Sequence, residues 1–254
     1  MKAHTLEIYG LIGYPLGHSF SKGFFTEKFQ REGIPAEYRN FEIPRADQLL
    51  DIVRQTPGLR GLNCTIPHKQ AILPLLDELS DEARQIGAVN VIQMLPDGRL
   101  KGYNSDIIGF MDSLRPLLRD HHRKALVLGT GGASKAICLG LEKLDLAWTY
   151  VSRTPREGQF AYTELTSDVV REYEVIVNCS PVGMHPHTDE CPPLPYEALT
   201  EHNLLYDLVY NPEETLFLKQ GRERNAQVKN GLEMLHLQAR ASWTFWNTPH
   251  DETK

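Results

Sequence analysis

Long hydrophobic runs are missing from this sequence. No apolar stretch approaches the ~20 residues that a helix needs to cross a bilayer. The first residues, MKAHTLEIYG, lack the apolar segment of a secretory signal peptide and lead directly into a strand-like stretch. Both absences favour a cytoplasmic protein, for which we expect no membrane partner.

An excess of basic residues is missing as well. Lys and Arg total 27 against 33 Asp and Glu, which gives a formal net charge of -6. Nonspecific binding to nucleic acid depends on cationic side chains that neutralise phosphates. The charge balance therefore argues against nucleic acid as a partner.

Cysteine is scarce, and the sequence contains no C-x-x-C motif. The four cysteines lie far apart in the chain: Cys64, Cys138, Cys179 and Cys191. This spacing argues against a disulfide framework and against a zinc ribbon. One short segment combines metal-ligand residue types, namely His185, His187 and Cys191. Because five prolines lie within or beside this segment, we interpret it as a solvated loop and expect no bound metal.

What is present is an alternation of strand and helix patterns. At ~100–200 residues per domain, 254 residues allow one large domain or two modest ones. Strands separated by helices predict an α/β protein with parallel sheets, and the turn at 96–98 predicts a hairpin. A charged turn at 120–123 divides the pattern into two blocks, and the last helix, 232–246, is expected to return to the first block. Strands are predicted at 6–12, 37–43, 59–65, 88–95, 100–104, 124–128, 148–152, 175–179 and 204–209, and helices at 19–31, 45–55, 106–118, 133–144 and 232–246, with a helical stretch after Pro67.

A glycine-rich turn is the strongest local signal. In LVLGTGGASKAICLGL, three glycines follow an apolar strand and precede a helix: Gly129, Gly131 and Gly132. Such a turn lets backbone N–H groups approach a pyrophosphate at a helix N-terminus. Ser134 stands where the usual fingerprint has its third glycine. The alternative is a turn that is glycine-rich only because strand and helix pack closely.

The end of the next strand indicates which dinucleotide binds. An NAD site usually has an acidic residue there to bind the ribose 2′-hydroxyl, but this strand ends in Ser152, Arg153 and Thr154. A guanidinium can bind a 2′-phosphate with two hydrogen bonds. We therefore favour NADP. The alternative is that Arg153 and the nearby Arg156 are ordinary surface residues.

Polar side chains follow the strands of the first block. Most of them are neutral hydrogen-bonding groups, which suit a small polyhydroxylated ligand; the exceptions are Lys69 and Asp106. Each also has a structural alternative, because Ser19 and Asp106 can cap helices and the asparagines can satisfy loop backbones. The residues are Ser19, Ser21, Asn63, Thr65, Lys69, Asn90, Asn104 and Asp106.

Taken in order, nine segments resemble the shikimate dehydrogenase family: GYPLGHSFS, NCTIPHK, GAVN, GYNSD, GTGGAS, SRT, NCSPVGM, DLVYNP and GLEMLHLQA. The resemblance covers nearly the whole chain. It implies an N-terminal α/β substrate domain and a Rossmann-like NADP-binding domain with a cleft between them. The implied limits are residues 1–106, completed by the C-terminal helix 232–254, and residues 107–231. The implied reaction is the reversible NADPH-dependent reduction of 3-dehydroshikimate to shikimate, in the synthesis of chorismate and aromatic amino acids.

The resemblance also assigns residue roles. Lys69 and Asp106 match the family's catalytic pair. The matching substrate-binding residues are Ser19, Ser21, Asn63, Thr65, Asn90, Tyr210 and Gln238. The cofactor-binding residues are Gly129, Gly131, Gly132, Ala133, Ser152, Arg153, Thr154 and Gly231.

The chain departs from the family pattern at a few positions. Ser152 replaces the asparagine that usually opens the 2′-phosphate segment, which weakens the preference for NADP over NAD. A quinate/shikimate dehydrogenase that uses NAD or both cofactors therefore stays open, as does a noncatalytic NADP-binding sensor, and the chain is expected to be a monomer or a homodimer. The other departures are Lys22, Cys64, Asn225 and Lys229.

Overall fold

The computed structural model describes residues 6–17 and 19–249, so the first five residues of the predicted N-terminus and His18 of GYPLGHSFS lie outside the described part. The chain forms two compact units. One consists of the residues up to Ser105 together with those from Gln238 onward, and the other is Asp106–Leu237. Among the described residues, no helix has both the length and the apolar character that crossing a membrane requires.

The first unit contains a mixed six-stranded sheet. Its strands are β1 (Glu7–Gly13), β2 (Ala36–Glu42), β3 (Leu59–Cys64), β4 (Glu78–Leu79), β5 (Val91–Met94) and β6 (Leu100–Tyr103). The strand order is β2-β1-β3-β5-β6-β4. β1 runs parallel to β2 and β3, whereas β5 is antiparallel to both β3 and β6. The predicted hairpin is this β5–β6 pair.

Short helices connect these strands: α1 (Phe20–Glu32), α2 (Leu49–Gln55), α3 (His68–Ala71) and α4 (Asp81–Ile86), with 3-10 turns at Ala46–Gln48 and Leu73–Leu75. Buried side chains cover both faces of the sheet. One cluster is aliphatic and includes Ile12, Leu62 and Ile92. The other is largely aromatic and includes Phe25 and Trp246.

The second unit contains a parallel six-stranded sheet. Its strands are β7 (Lys124–Leu128), β8 (Ala147–Ser152), β9 (Phe160–Ala161), β10 (Val175–Asn178), β11 (Leu204–Asp207) and β12 (Gln227–Lys229). The order is β12-β11-β10-β7-β8-β9, and each neighbouring pair is parallel. In this doubly wound order the strand sequence reverses between β7 and β10. Ligands bind at such a reversal, outside the carboxyl ends of the strands.

The helices of this unit are α5 (Asp106–Leu114), α6 (Ser134–Lys143), α7 (Ser167–Arg171) and α8 (Leu216–Arg222), with 3-10 turns at Arg115–Leu117, Tyr162–Glu164 and Tyr196–Ala198. The parallel strands are buried on both faces, as expected for a sheet covered by helices. The last helix, α9 (Leu232–Asn247), begins in the second unit, and its residues from Gln238 onward belong to the first. The predicted α/β class is confirmed.

Candidate active site

The glycine-rich turn begins where β7 ends. Gly129 has a φ of +99°, in the region that side-chain-bearing residues rarely adopt. Its N–H donates to the carbonyl of Val151 at 2.9 Å, and a Cβ atom here would lie 3.4 Å from Ser180. The conformation of the turn therefore explains the first glycine.

Gly131 and Gly132 need a different explanation. A Cβ atom at either position would meet nothing within 4 Å, and neither has a φ in the left-handed region. Close packing of strand and helix thus does not account for these two glycines. The open space beside them is what a backbone that approaches a bound phosphate requires.

The turn is anchored from the side of α6. The Ser134 hydroxyl donates to the carbonyl of Gly131 at 2.7 Å, and it lies 3.3 Å from the hydroxyl of Tyr150 on β8. Ala133 is the N-cap of α6. Ser134, which replaces a glycine of the usual fingerprint, therefore holds the turn in place by a hydrogen bond.

The neighbouring strand ends complete this edge of the sheet. The N–H of Cys179 donates to the carbonyl of Leu128 at 2.9 Å, which ties the segment after β10 to the end of β7. The backbone N–H and the hydroxyl of Ser180 both donate to Asn178 Oδ1, at 3.0 and 2.6 Å. These contacts bring the glycine turn and the NCSPVGM segment together at the strand reversal.

Asp207, at the end of β11, is buried and was missed by the sequence analysis. It accepts hydrogen bonds from Asn178 Nδ2 at 3.0 Å, from the N–H of Val209 at 3.0 Å and from the Thr215 hydroxyl at 2.6 Å. Burial raises the pKa of Asp207 to about 6, although the three donors act in the opposite direction. The carboxyl group thus links the end of β10 to the two segments after β11 that contain Val209 and Thr215.

The end of β8 carries the predicted 2′-phosphate residues. Ser152 is buried, and its hydroxyl accepts a hydrogen bond from the N–H of Thr154 at 3.2 Å. Arg153 and Thr154 are exposed. Burial raises the pKa of Tyr162, and the positive charge of Arg153 opposes that shift. The Ser152 side chain closes the turn and leaves Arg153 accessible.

Two further predicted residues of the second unit have distinct surroundings. Gly231 is buried, and any Cβ atom there would overlap the carbonyl of Leu208. Close contact between backbones therefore explains this glycine. Tyr210 is 44% exposed, so its side chain is accessible to a ligand.

In the first unit, two of the predicted site residues, Thr65 and Lys69, follow β3. The N–H of Thr65 donates to the carbonyl of Ile12 at 3.0 Å, which ties the end of β3 to the end of β1. Lys69 lies on α3 and is half-buried, and its carbonyl accepts from Val89 at 2.8 Å. Burial raises the pKa of the Cys64 thiol to about 12, and the positive charge of Lys69 opposes this.

The asparagines in this region hold loops together, as the structural alternative predicts. Asn90 is buried, and its Oδ1 accepts from the N–H of Ser105 at 2.7 Å. Asn104 donates to the carbonyl of Ala88 at 3.0 Å. These bonds position the segment that leads to Asp106, which is buried and is the first residue of α5.

Ser19 and Ser21 lie at the start of α1. The Ser19 hydroxyl accepts from the N–H of Lys22 at 3.2 Å, so this residue is the N-cap of the helix. Ser21 hydrogen-bonds the hydroxyl of Tyr38. The capping alternative for Ser19 is therefore correct. The hydroxyl oxygen has a second lone pair, so Ser19 can cap the helix and also contact a ligand.

A hydrogen-bonded chain connects several of these residues. The Tyr38 hydroxyl donates to Asn63 Oδ1 at 2.8 Å, and Asn63 Nδ2 donates to the Ser242 hydroxyl at 2.9 Å. Ser242 in turn donates to the carbonyl of Gln238 at 2.9 Å. The sequence analysis missed Tyr38 and Ser242. Because Ser242 is 179 residues from Asn63 along the chain, no local pattern could have signalled the contact.

The segment that holds His185, His187 and Cys191 has no helix or strand, and both histidines are exposed. In the described part of the chain, no group of three or more His, Cys, Asp or Glu side chains is arranged to hold a metal ion. We assign no metal site to this segment.

A doubly wound sheet with a glycine turn at its strand reversal, in a chain that has a second α/β unit, is typical of dinucleotide-dependent oxidoreductases. A family model described as shikimate dehydrogenase substrate binding domain matches residues 11–92. The shikimate dehydrogenase (NADP(+)) of Geobacillus kaustophilus is 38% identical, and the match covers 94% of this chain and 92% of the relative. The chain belongs to the shikimate dehydrogenase family, and the resemblance is confirmed.

Solved structures agree with this assignment. Shikimate 5-dehydrogenase of Thermus thermophilus, in complex with NADP(H) and shikimate, matches with a TM-score of 0.83 at 31% identity and covers 96% of this chain and 95% of its own. Quinate dehydrogenase of Corynebacterium glutamicum, in complex with NAD, matches with a TM-score of 0.86 at 26% identity, over 95% and 93%. Both matches extend over the two units of this chain.

Proposed function

We propose that this chain is an NADP-dependent oxidoreductase that catalyses the reversible reduction of 3-dehydroshikimate to shikimate. The reaction belongs to the synthesis of chorismate and the aromatic amino acids. The observation that carries this proposal is the 38% identity to an NADP-dependent shikimate dehydrogenase over 94% of the chain. The glycine turn of the second unit and the polar residues of the first supply matching chemistry.

On the cofactor side, Gly131 and Gly132 support the proposal most directly. Their open surroundings fit a dinucleotide whose phosphates lie against the backbone of the turn. Arg153 is proposed to bind the 2′-phosphate, since it is exposed at the end of β8. The proposed cofactor set is Gly129, Gly131, Gly132, Ala133, Ser152, Arg153, Thr154 and Gly231.

Lys69 and Asp106 are the proposed catalytic pair. NADPH, when bound, supplies the hydride that reduces the ketone carbon. Negative charge then develops on the carbonyl oxygen, where the Lys69 ammonium stabilises it and donates the proton. Asp106 orients that ammonium. In the reverse direction the neutral amine of Lys69 accepts the hydroxyl proton.

The proposed substrate-binding residues offer mainly neutral hydrogen-bonding groups, as a polyhydroxylated ring requires. Ser19 and Ser21 lie at the start of α1, and Asn63 and Thr65 lie at the end of β3. Gln238 shares the hydrogen-bonded chain of Asn63 through its backbone. The complete set is Ser19, Ser21, Asn63, Thr65, Asn90, Tyr210 and Gln238.

A second candidate is a quinate dehydrogenase that uses NAD. The likeness to the quinate enzyme of C. glutamicum supports it, as does Ser152 in place of the family's asparagine. Steady-state rates of reduced nicotinamide formation, measured for shikimate and quinate with NADP and NAD, separate the candidates.

We expect the highest kcat/KM for shikimate with NADP. A higher kcat/KM for quinate with NAD would replace the first proposal by the second. Binding of NADP without turnover of either acid would contradict both and would favour the noncatalytic sensor.

A further inference from the structure

Asn63 lies on the face of β3 that α9 covers. Gly61, two residues earlier, has the Trp246 ring so close that a Cβ atom would overlap it. Ser242, one turn before Trp246, hydrogen-bonds Asn63. Two residues span about 6.6 Å along a strand and four span about 6 Å along a helix, so the two contacts fit side by side. α9 therefore contacts the strand at two consecutive positions of the same face.

The hydrogen bonds around Asn63 have a defined direction. The Gln238 carbonyl can only accept, so the Ser242 hydroxyl donates to it. Ser242 must then accept from Asn63, which places the amide nitrogen Nδ2 on the side of α9. The amide oxygen Oδ1 consequently lies on the side of Tyr38 and accepts its hydroxyl proton at 2.8 Å. Nδ2 also donates to the carbonyl of Asn90 at 3.4 Å, which agrees with this direction. The amide of Asn63 has one orientation as a result.

The Tyr38 side chain is closely packed. It is 3% exposed, and its ring stacks on Phe25 with centroids 5.0 Å apart and planes at 10°. Burial raises the pKa of Tyr38, which keeps the hydroxyl protonated as a donor. A phenylalanine could make the same ring contacts, so packing alone does not explain the hydroxyl.

We propose that Tyr38 and Ser242 are positioning residues for substrate binding, which hold the Asn63 amide in one orientation from opposite sides. Ser242 also couples that orientation to the turn of α9 that carries Gln238. The inference rests on the proposed function, in which Asn63 and Gln238 bind the substrate. A ligand then meets a preorganised amide and does not have to order it, which raises affinity.

The test compares Tyr38→Phe and Ser242→Ala with the wild-type chain. Each variant removes one hydrogen bond to Asn63, and Tyr38→Phe also removes the hydrogen bond with Ser21. We expect the KM for shikimate to rise about 3- to 10-fold in both. The KM for NADP should stay within about twofold, and kcat should change less than the KM for shikimate. Thermal unfolding of each variant establishes that it is folded, and Ser242→Ala keeps the test available should Tyr38→Phe be unstable.

Tyr9→Phe is the matched control. Tyr9 is a buried tyrosine of the same aromatic cluster, but its hydroxyl bonds Glu7 at 3.3 Å. Loss of this hydroxyl should lower stability to a similar degree and leave the KM for shikimate unchanged. A merely structural role for Tyr38 predicts the same outcome for both variants, so equal KM values in Tyr9→Phe and Tyr38→Phe would overturn the proposal.

A double-mutant cycle identifies the route of the effect. If Tyr38 acts through Asn63, Tyr38→Phe should leave the KM unchanged in an Asn63→Ala background. An undiminished effect in that background, or a wild-type KM in Asn63→Ala, overturns the positioning role. Absence of shikimate turnover in the wild-type chain is a different failure, since it removes the proposed function and this inference with it.

Discussion

At the scale of single residues, Arg153 is predicted to select the cofactor. Its side chain is exposed after β8, and a guanidinium binds a phosphate through charge-assisted hydrogen bonds that a 2′-hydroxyl cannot replace. Arg153→Ala should reduce the preference for NADP over NAD by about 10- to 100-fold. Ratios of kcat/KM for the two cofactors measure this.

Arg156→Ala is the control for Arg153, because Arg156 is also exposed and lies three residues further along. It should leave the cofactor ratio within about twofold of wild type. If instead Arg156→Ala lowers the ratio and Arg153→Ala does not, the 2′-phosphate contact belongs to Arg156.

Asp207 leads to a prediction about pH. Burial raises its pKa from the ordinary value of 3.8 to about 6, so between these values the folded chain binds a proton that the unfolded chain has released. The free energy of unfolding should therefore fall as pH rises from about 4 to 7, by about 2–3 kcal/mol from this group. Urea unfolding of wild type and Asp207→Asn at both pH values measures the effect.

The difference between these two proteins isolates Asp207, because all other groups titrate in both. We expect the stability of Asp207→Asn relative to wild type to improve as pH rises. A difference that does not depend on pH would show that the hydrogen bonds from Asn178, Val209 and Thr215 cancel the cost of burial.

At the scale of elements, glycine substitutions in the turn between β7 and α6 are predicted to have separate effects on NADP binding and on stability. Gly132→Ala should leave stability within about 0.5 kcal/mol of wild type, because its Cβ meets no protein atom within 4 Å. The same methyl group would occupy space that the cofactor needs, so we expect NADP to bind at least about 10-fold more weakly. Calorimetric titration and thermal unfolding measure the two effects.

Gly129→Ala should behave differently. Its φ of +99° strains any side chain, so stability should fall by about 1–3 kcal/mol. If Gly132→Ala binds NADP as tightly as wild type does, the turn does not approach the cofactor.

The longer elements were predictable from periodicity, and the short ones were not. Alternating or continuous apolar runs located β1, β3 and β7, with both ends of β7 correct. The sequence analysis assigned no element to β4, β9, β12, α7 or α8. The three strands contain two or three residues, and the two helices contain five and seven, which is at most two helical turns and too short for a helical period to be recognised. The sheet of the first unit is mixed because the predicted β5–β6 hairpin is part of it, whereas the sheet of the second unit is parallel throughout.

At the scale of the whole molecule, the sequence indicated where polar residues follow strands but not what holds them. Asn63 and Gly129 were identified from their positions at the ends of predicted strands, before any of their contacts was known. Tyr38, Ser242 and Asp207 were missed because their partners come from distant segments, and only folding brings those together. The roles assigned to the site residues and the limits of the domains stay predictions.

Lys69 lies in the first unit, whereas the glycine turn and Asp106 lie in the second. Substitution of Lys69 should therefore change turnover without changing the binding of the cofactor. Lys101 offers a matched control for Lys69, because it is a partly buried lysine of the same unit that lies over the ring of Tyr103.

The turnover of Lys69→Ala with shikimate and NADP tests the central claim most directly. A positioned proton donor contributes about 10²- to 10⁴-fold in rate, so we predict that kcat falls at least about 100-fold, while the Kd for NADP stays within about twofold and Lys101→Ala keeps wild-type turnover. Wild-type kcat in Lys69→Ala would contradict the proposed mechanism.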